Sequence, residues 1–170
     1  MINNYGVAQC ASLCMSFARM DKVTHILSSP LQRSIMTASH AFRPITDRGV
    51  KVLLVPGLRE VNGSFRCNQG SPIKFLAWQQ AEIRKVPISF SLVKAQKGWE
   101  LIDYTPILET HAFDTIEMIY NMAKEFIKKG ELNAEGNVEL LVVGHAGMLG
   151  ALIGYDGKFS PSLPLTRPFP

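Results

Sequence analysis

No run of about 18 apolar residues occurs in this 170-residue chain, so no segment reads as a membrane-spanning helix. Met1 is not followed by a basic region and an apolar signal core, and the expected location is therefore cytoplasmic. Cysteine is scarce. Cys10, Cys14 and Cys67 form an odd set without Cys-x-x-Cys spacing, which excludes a disulfide framework. Cys10 and Cys14 stand at i and i+4 on one helix face, with His25 further on. That set could bind zinc, but it reads as buried free thiols in a reducing compartment, and no metal or cofactor is expected. Basic residues exceed acidic ones only modestly, giving a net charge of +4 and a pI near 9.1. The excess favours an anionic ligand. Its members are scattered, however, and Arg84-Lys85 and Lys128-Lys129 read as solvated helix surface. Without a basic stripe interleaved with aromatics, nucleic-acid binding is not expected.

What is present is a composition that folds. Hydrophobic residues make up 46% of the chain and charged residues 19%, enough to bury the core of one domain. The spacing of Val7, Cys10, Ala11, Cys14 and Phe17 predicts a helix over residues 1–19. A short strand comes next, at 24–27. Then comes a helix over 31–42, with Ser29 as its N-cap and Pro30 at its first position. A second strand covers 52–55, and 58–70 reads as a loop. Residues 72–106 form a less regular, cap-like insertion with a short helix at 73–83 and the aromatic anchors Trp78 and Trp99. The longest helix covers 107–129, with Phe113, Ile116, Ile119, Tyr120, Ala123 and Ile127 along one face and Gly130 as its stop. A buried strand at 138–143 and a short helix at 148–153 close the pattern. Strand–helix alternation points to an α/β layered fold with a largely parallel sheet. One domain over 1–155 is expected, followed by a proline-rich, poorly ordered tail at 156–170.

Three strand ends carry the chemistry. Gly144-His145-Ala146-Gly147 follows the apolar strand and opens a helix; it suits either an ordinary turn or an anion pocket in which glycines admit a ligand to the backbone. Ser28-Ser29-Pro30-Leu31-Gln32-Arg33-Ser34 follows the first strand, and Leu58-Arg59-Glu60 the second. In an open parallel sheet, ligands bind beyond the carboxyl ends of strands, so the three segments should share a rim. There Arg33, Glu60 and His145 would supply a planar cationic fork, a carboxylic acid and an imidazole.

These segments resemble the histidine phosphatase superfamily, its phosphoglycerate-mutase-like branch and, more narrowly, its fungal-type members. The resemblance rests on Gly6-x-x-Gln9-Cys10, on Thr24 to Ser34 with Thr37, on Leu58-x-Glu60 and Cys67-x-x-Gly70, on Trp99, and on Val142 to Gly147. It implies a three-layer α/β/α sandwich related to phosphomonoester hydrolases that act through phosphohistidine. It also implies roles: Arg33 for the phosphoryl oxygens, His145 for the pentavalent transition state, and Glu60 as the general acid for the leaving alcohol. Ser29 and the backbone at Ala146 would complete the phosphate site.

The resemblance also breaks. The family's nucleophilic histidine follows a first strand upstream of the Gly-x-x-Gln-Cys helix, and here that helix begins almost at Met1. The first central strand and the C-terminal strands of the family are therefore expected to be missing, and His25, His40 and His111 do not replace the nucleophile; His111 stands where the family often has an arginine. A truncated gene model or splice form, a degenerate homologue, and a chain completed by another through strand pairing at 138–143 are the three explanations. Little or no phosphatase activity is expected from this chain alone. The alternative is a non-catalytic pseudophosphatase that binds a phosphorylated small molecule or phosphoprotein.

Overall fold

A computed structural model describes residues 2–61, 63, 65–77, 86–101 and 108–153. The tail, Trp78, most of the helix expected at 73–83 and the expected start of the longest helix at Ile107 lie outside these residues. The fold is a mixed α/β sandwich. In chain order its elements are α1 (Asn4–Ser16), β1 (His25–Ser28), α2 (Gln32–Ala41), α3 (Arg43–Asp47), β2 (Val52–Leu54), β3 (Ile88–Ser89), α4 (Ser91–Ala95), α5 (Leu108–Lys128), β4 (Leu140–Val143) and α6 (Ala146–Leu152).

The four strands are all parallel, in the order β3-β2-β1-β4. Ile26 is level with Val52 and Leu141, and Leu27 with Leu53 and Val142. Because strand side chains alternate, this register sorts the core into two layers. Ile26, Val52, Leu54 and Val143 pack with Cys10, Ala38, Ala41 and Phe42 from α1 and α2. Leu27, Val55 and Leu58 pack with Ile119 of α5 on the other face, joined by Leu53, Leu140 and Val142. Helices thus cover both faces of a parallel sheet, as such sheets require.

Several expectations shift in detail. α1 is shorter than expected and is capped by Asn3, whose Oδ1 accepts the Gly6 N–H at 2.9 Å. α2 starts at Gln32 with Leu31 as its N-cap, so Ser29 is not the cap and Pro30 is not the first helical residue; the Ser29 Oγ accepts the Leu31 N–H at 3.3 Å, just ahead of the helix. α6 begins at Ala146, two residues before the expected start. Cys10 is buried, but Cys14 is half-buried and Cys67 exposed, so the thiols do not form one buried set.

α5 is rotated from the expected face. Phe113, Ile116 and Ile127 are exposed, while Ala112, Thr115 and Ile119 face inward. The turn at Pro56–Leu58 sets this rotation. A Cβ on Gly57 would lie 2.6 Å from Thr115 Oγ1, so the helix backbone can approach only there, and the His111 ring is 3.0 Å from the Gly57 carbonyl. α5 ends at Lys128, and Gly130 two residues beyond turns the chain away with a φ of +70° that suits glycine.

The segment 72–106 supplies the fourth strand, which the sequence did not suggest. Pro87 lends its carbonyl to the Val52 N–H at 2.8 Å, and Val93 and Trp99 enter the core. Gly70 packs against Trp99 so closely that a Cβ there would lie 2.6 Å from two ring atoms and 2.8 Å from the Glu100 Cα. Neither a buried ring nor a backbone can yield cheaply. Gly70→Ala is therefore expected to destabilise the fold by about 1–3 kcal/mol. Urea denaturation reads this directly, and an unchanged midpoint would contradict the packing.

Candidate functional site

Ser28, Leu54 and Val143 end their strands side by side, so the segments beyond them emerge at one rim. From β1 the chain runs through Ser29 into α2, which presents Arg33 from its first turn. From β2 it passes through the 3₁₀ turn at Pro56–Leu58 to Arg59 and Glu60. From β4 it passes Gly144 to His145, the N-cap residue of α6.

The sequence-predicted residues meet there. Arg33 Nε donates to His145 Nδ1 at 3.2 Å. The Nε–H of a guanidinium can only donate, so Nδ1 is an acceptor and the neutral imidazole carries its hydrogen on Nε2. That hydrogen faces two hydroxyls, Ser29 Oγ at 2.9 Å and Ser34 Oγ at 3.1 Å. His145 is buried, and burial, reinforced by the Arg33 and Arg59 charges, lowers its pKa from 6.5 to about 3. The ring is neutral at physiological pH.

Glu60 lies across the first turn of α6. Its Oε1 accepts the Val61 N–H at 3.0 Å and stands 2.7 Å from where a Cβ of Gly147 would be. Only glycine at 147 leaves room for the carboxylate in that position. Ala146 and Gly147 are exposed, while Arg33 and Glu60 are half-buried, so the rim is open to solvent.

Arg33 holds its charge without an anionic partner among the described residues. Its acceptors are the His145 ring, the Cys67 carbonyl and Asn68 Oδ1, the last at 2.8 Å, and all are neutral. Arg59, in the segment that reads in the sequence as a loop, is fully buried. It donates to the Trp99 carbonyl and, at 2.8 Å, to the Asn68 carbonyl, and its guanidinium carbon lies 5.7 Å from the Trp99 ring centre. The Arg33 guanidinium, the Glu60 carboxylate and a neutral imidazole thus meet at one rim, and a guanidinium there suits an oxyanion.

Of the other histidines, two stand away from the rim and His111 stands behind the turn that leads into it. His25 opens β1, at the end opposite the rim, stacks on Phe126 and pairs with Glu131 at 2.7 Å. His40 is in the last turn of α2, about 10 Å along the helix from Arg33. His111 is buried in the first turn of α5 against the Gly57 carbonyl, and burial lowers its pKa. Among the described residues no cluster of three His, Cys, Asp or Glu side chains is arranged to hold a metal ion, and no helix is long and apolar enough to cross a membrane.

Sequence reasoning did not anticipate Ser34, Arg59 or Asn68 as members of the site. Ser34 lies one residue beyond Arg33 and Asn68 one beyond Cys67, so each adjoins a residue already singled out.

A model of the histidine phosphatase superfamily (branch 1) matches residues 1–82. The match takes in Ser29, Arg33, Glu60 and Asn68 and ends before β4 and His145. No curated protein and no solved structure gives a significant match to the chain.

Proposed function

We propose that this rim is the phosphoryl-binding part of a histidine-phosphatase-type site and that it takes the oxyanion of a phosphorylated small molecule or phosphoprotein. The observation that carries the reading is Arg33, a guanidinium fixed beside His145 by three neutral acceptors, with no anionic partner among the described residues. A planar fork of N–H donors matches a phosphoryl group better than an ammonium does. The superfamily match over residues 1–82 supports a phosphatase- or mutase-like relationship.

In this reading Arg33 and the Ser29–His145 pair hold the phosphoryl oxygens, with the Ala146 backbone at the edge, and Glu60 is the acid that would protonate a leaving alcohol. Attack on phosphorus is a different matter. The one lone pair of His145, on Nδ1, already accepts the Arg33 Nε–H, so the ring is a ligand holder and not a nucleophile. His25 lies at the opposite end of the sheet, His40 lies along α2 away from Arg33, and His111 is turned to the Gly57 carbonyl. The chain on its own is thus a phosphate-ligand binder without phosphohistidine chemistry.

Calorimetric titration of the full chain with inorganic phosphate is expected to show saturable binding at one site. Incubation with acetyl phosphate is expected to give no acid-labile phosphate on histidine. Absence of phosphate binding, or phosphate found on His145, would overturn the proposal.

A further inference from the structure

The Arg33 fork and the Glu60 carboxylate come from different strand ends, yet both are tied to one side chain. Asn68 is buried in the 3₁₀ turn Arg66–Asn68. Its Oδ1 accepts from the Arg33 terminal nitrogen at 2.8 Å, and its Nδ2 donates to the Val61 carbonyl at 2.8 Å. The same Val61 residue gives its N–H to Glu60 Oε1 at 3.0 Å. The turn itself is anchored from below, because buried Arg59 donates to the Asn68 main-chain carbonyl at 2.8 Å.

We propose that Asn68 is the positioning residue of this site, setting the spacing between the cation and the acid through its amide. The chemistry selects this side chain. A guanidinium only donates and a carbonyl only accepts, so the bridge needs one acceptor and one donor on a single short, planar group. Aspartate would keep the acceptor, lose the donor toward Val61 and neutralise Arg33. Alanine would lose both. The Asn68 oxygen also accepts from the Cys67 thiol at 3.6 Å, so the amide is held from three sides.

The inference rests on the phosphoryl-binding reading above, and the experiment separates the two. In the 15N-labelled full chain, the Arg33 Nε–H cross-peak is expected to be slow to exchange, because it is held to His145. In Asn68→Ala that protection is lost and the affinity for inorganic phosphate falls by about tenfold or more, the usual weight of a hydrogen bond to a charged group. In Asn68→Asp the Arg33 Nε–H stays protected, yet phosphate affinity falls at least as far, because the new carboxylate competes for the cation. A merely structural asparagine would lower the melting temperature of both variants and leave the Arg33 signal of the folded fraction unchanged. Wild-type protection and wild-type affinity in Asn68→Ala would overturn the inference. Should Asn68→Ala fail to fold, undiminished phosphate affinity in Asn68→Asp would overturn it. If the unsubstituted chain binds no phosphate, the functional reading fails, and the Arg33 signal still decides whether Asn68 positions it.

Discussion

Arg33→Ala is expected to weaken inorganic phosphate binding by about 30-fold or more, the largest loss of affinity that any single substitution at the rim should produce. Two charge-assisted hydrogen bonds of about 1.5–3 kcal/mol each are at stake, although truncation energies of neighbouring contacts do not simply add. The change also takes a donor from buried His145 Nδ1 and buried Asn68 Oδ1, so urea unfolding of the variant accompanies the titration to show that the folded state is being read. Removing a cation from beside the imidazole should also let the His145 pKa rise, because the Arg33 charge contributes to its depression. Phosphate titration and a pH titration of the His145 ring signals therefore read the same substitution in two ways. Retained affinity, or an unmoved His145 pKa, would remove Arg33 from the site.

Acid is expected to unfold this chain, and His145 supplies much of the reason. Its pKa is lowered from 6.5 to about 3 in the folded state. Below 6.5 the unfolded chain takes up a proton that the folded chain refuses, so stability is fully present above that pH and is lost progressively as pH falls toward 3. One such group costs about 3 kcal/mol by about pH 4.5, a large share of the 5–15 kcal/mol typical of a domain. His111, lowered by burial, acts in the same direction. Urea unfolding at about pH 7.5 and pH 4.5 measures the loss. His145→Asn, which does not titrate, should lose less stability between the two pH values by about one proton's worth. Equal losses in the two proteins would show that the ring accepts a proton without cost.

How far the sequence could be read depended on whether a residue's role was local. β1, β2 and β4 are short apolar runs, each with a Pro or Gly close behind its last residue, so their ends and the residues beyond them were recognisable. That is why Ser29, Arg33, Glu60, His145 and Ala146 could be placed on one rim. α5 carries two competing apolar stripes one residue apart, and periodicity could not choose between them. The choice was made by Gly57, which admits Thr115 and meets His111 from another part of the chain. β3 is two residues long and comes directly after a proline, too little for a pattern. The role of Arg59 was not legible because its carbonyl acceptors, on Asn68 and Trp99, belong to segments 9 and 40 residues away. Asn68 was silent for the same reason: its work is defined by an arginine 35 residues earlier.

The pairing of β4 with β1 makes the site depend on a contact between distant parts of the chain. Thr24 and Glu139 clamp the start of that pair from both sides, with bonds at 2.9 and 3.0 Å across 115 residues of chain. Closing so long a loop is among the slower steps available to a folding polypeptide. His145 reaches Arg33 only once that loop has closed, since the two are separated by 112 residues. Without that pairing the arginine and the acid lack the imidazole that meets them, so a bound anion would in turn hold the β1–β4 pair together.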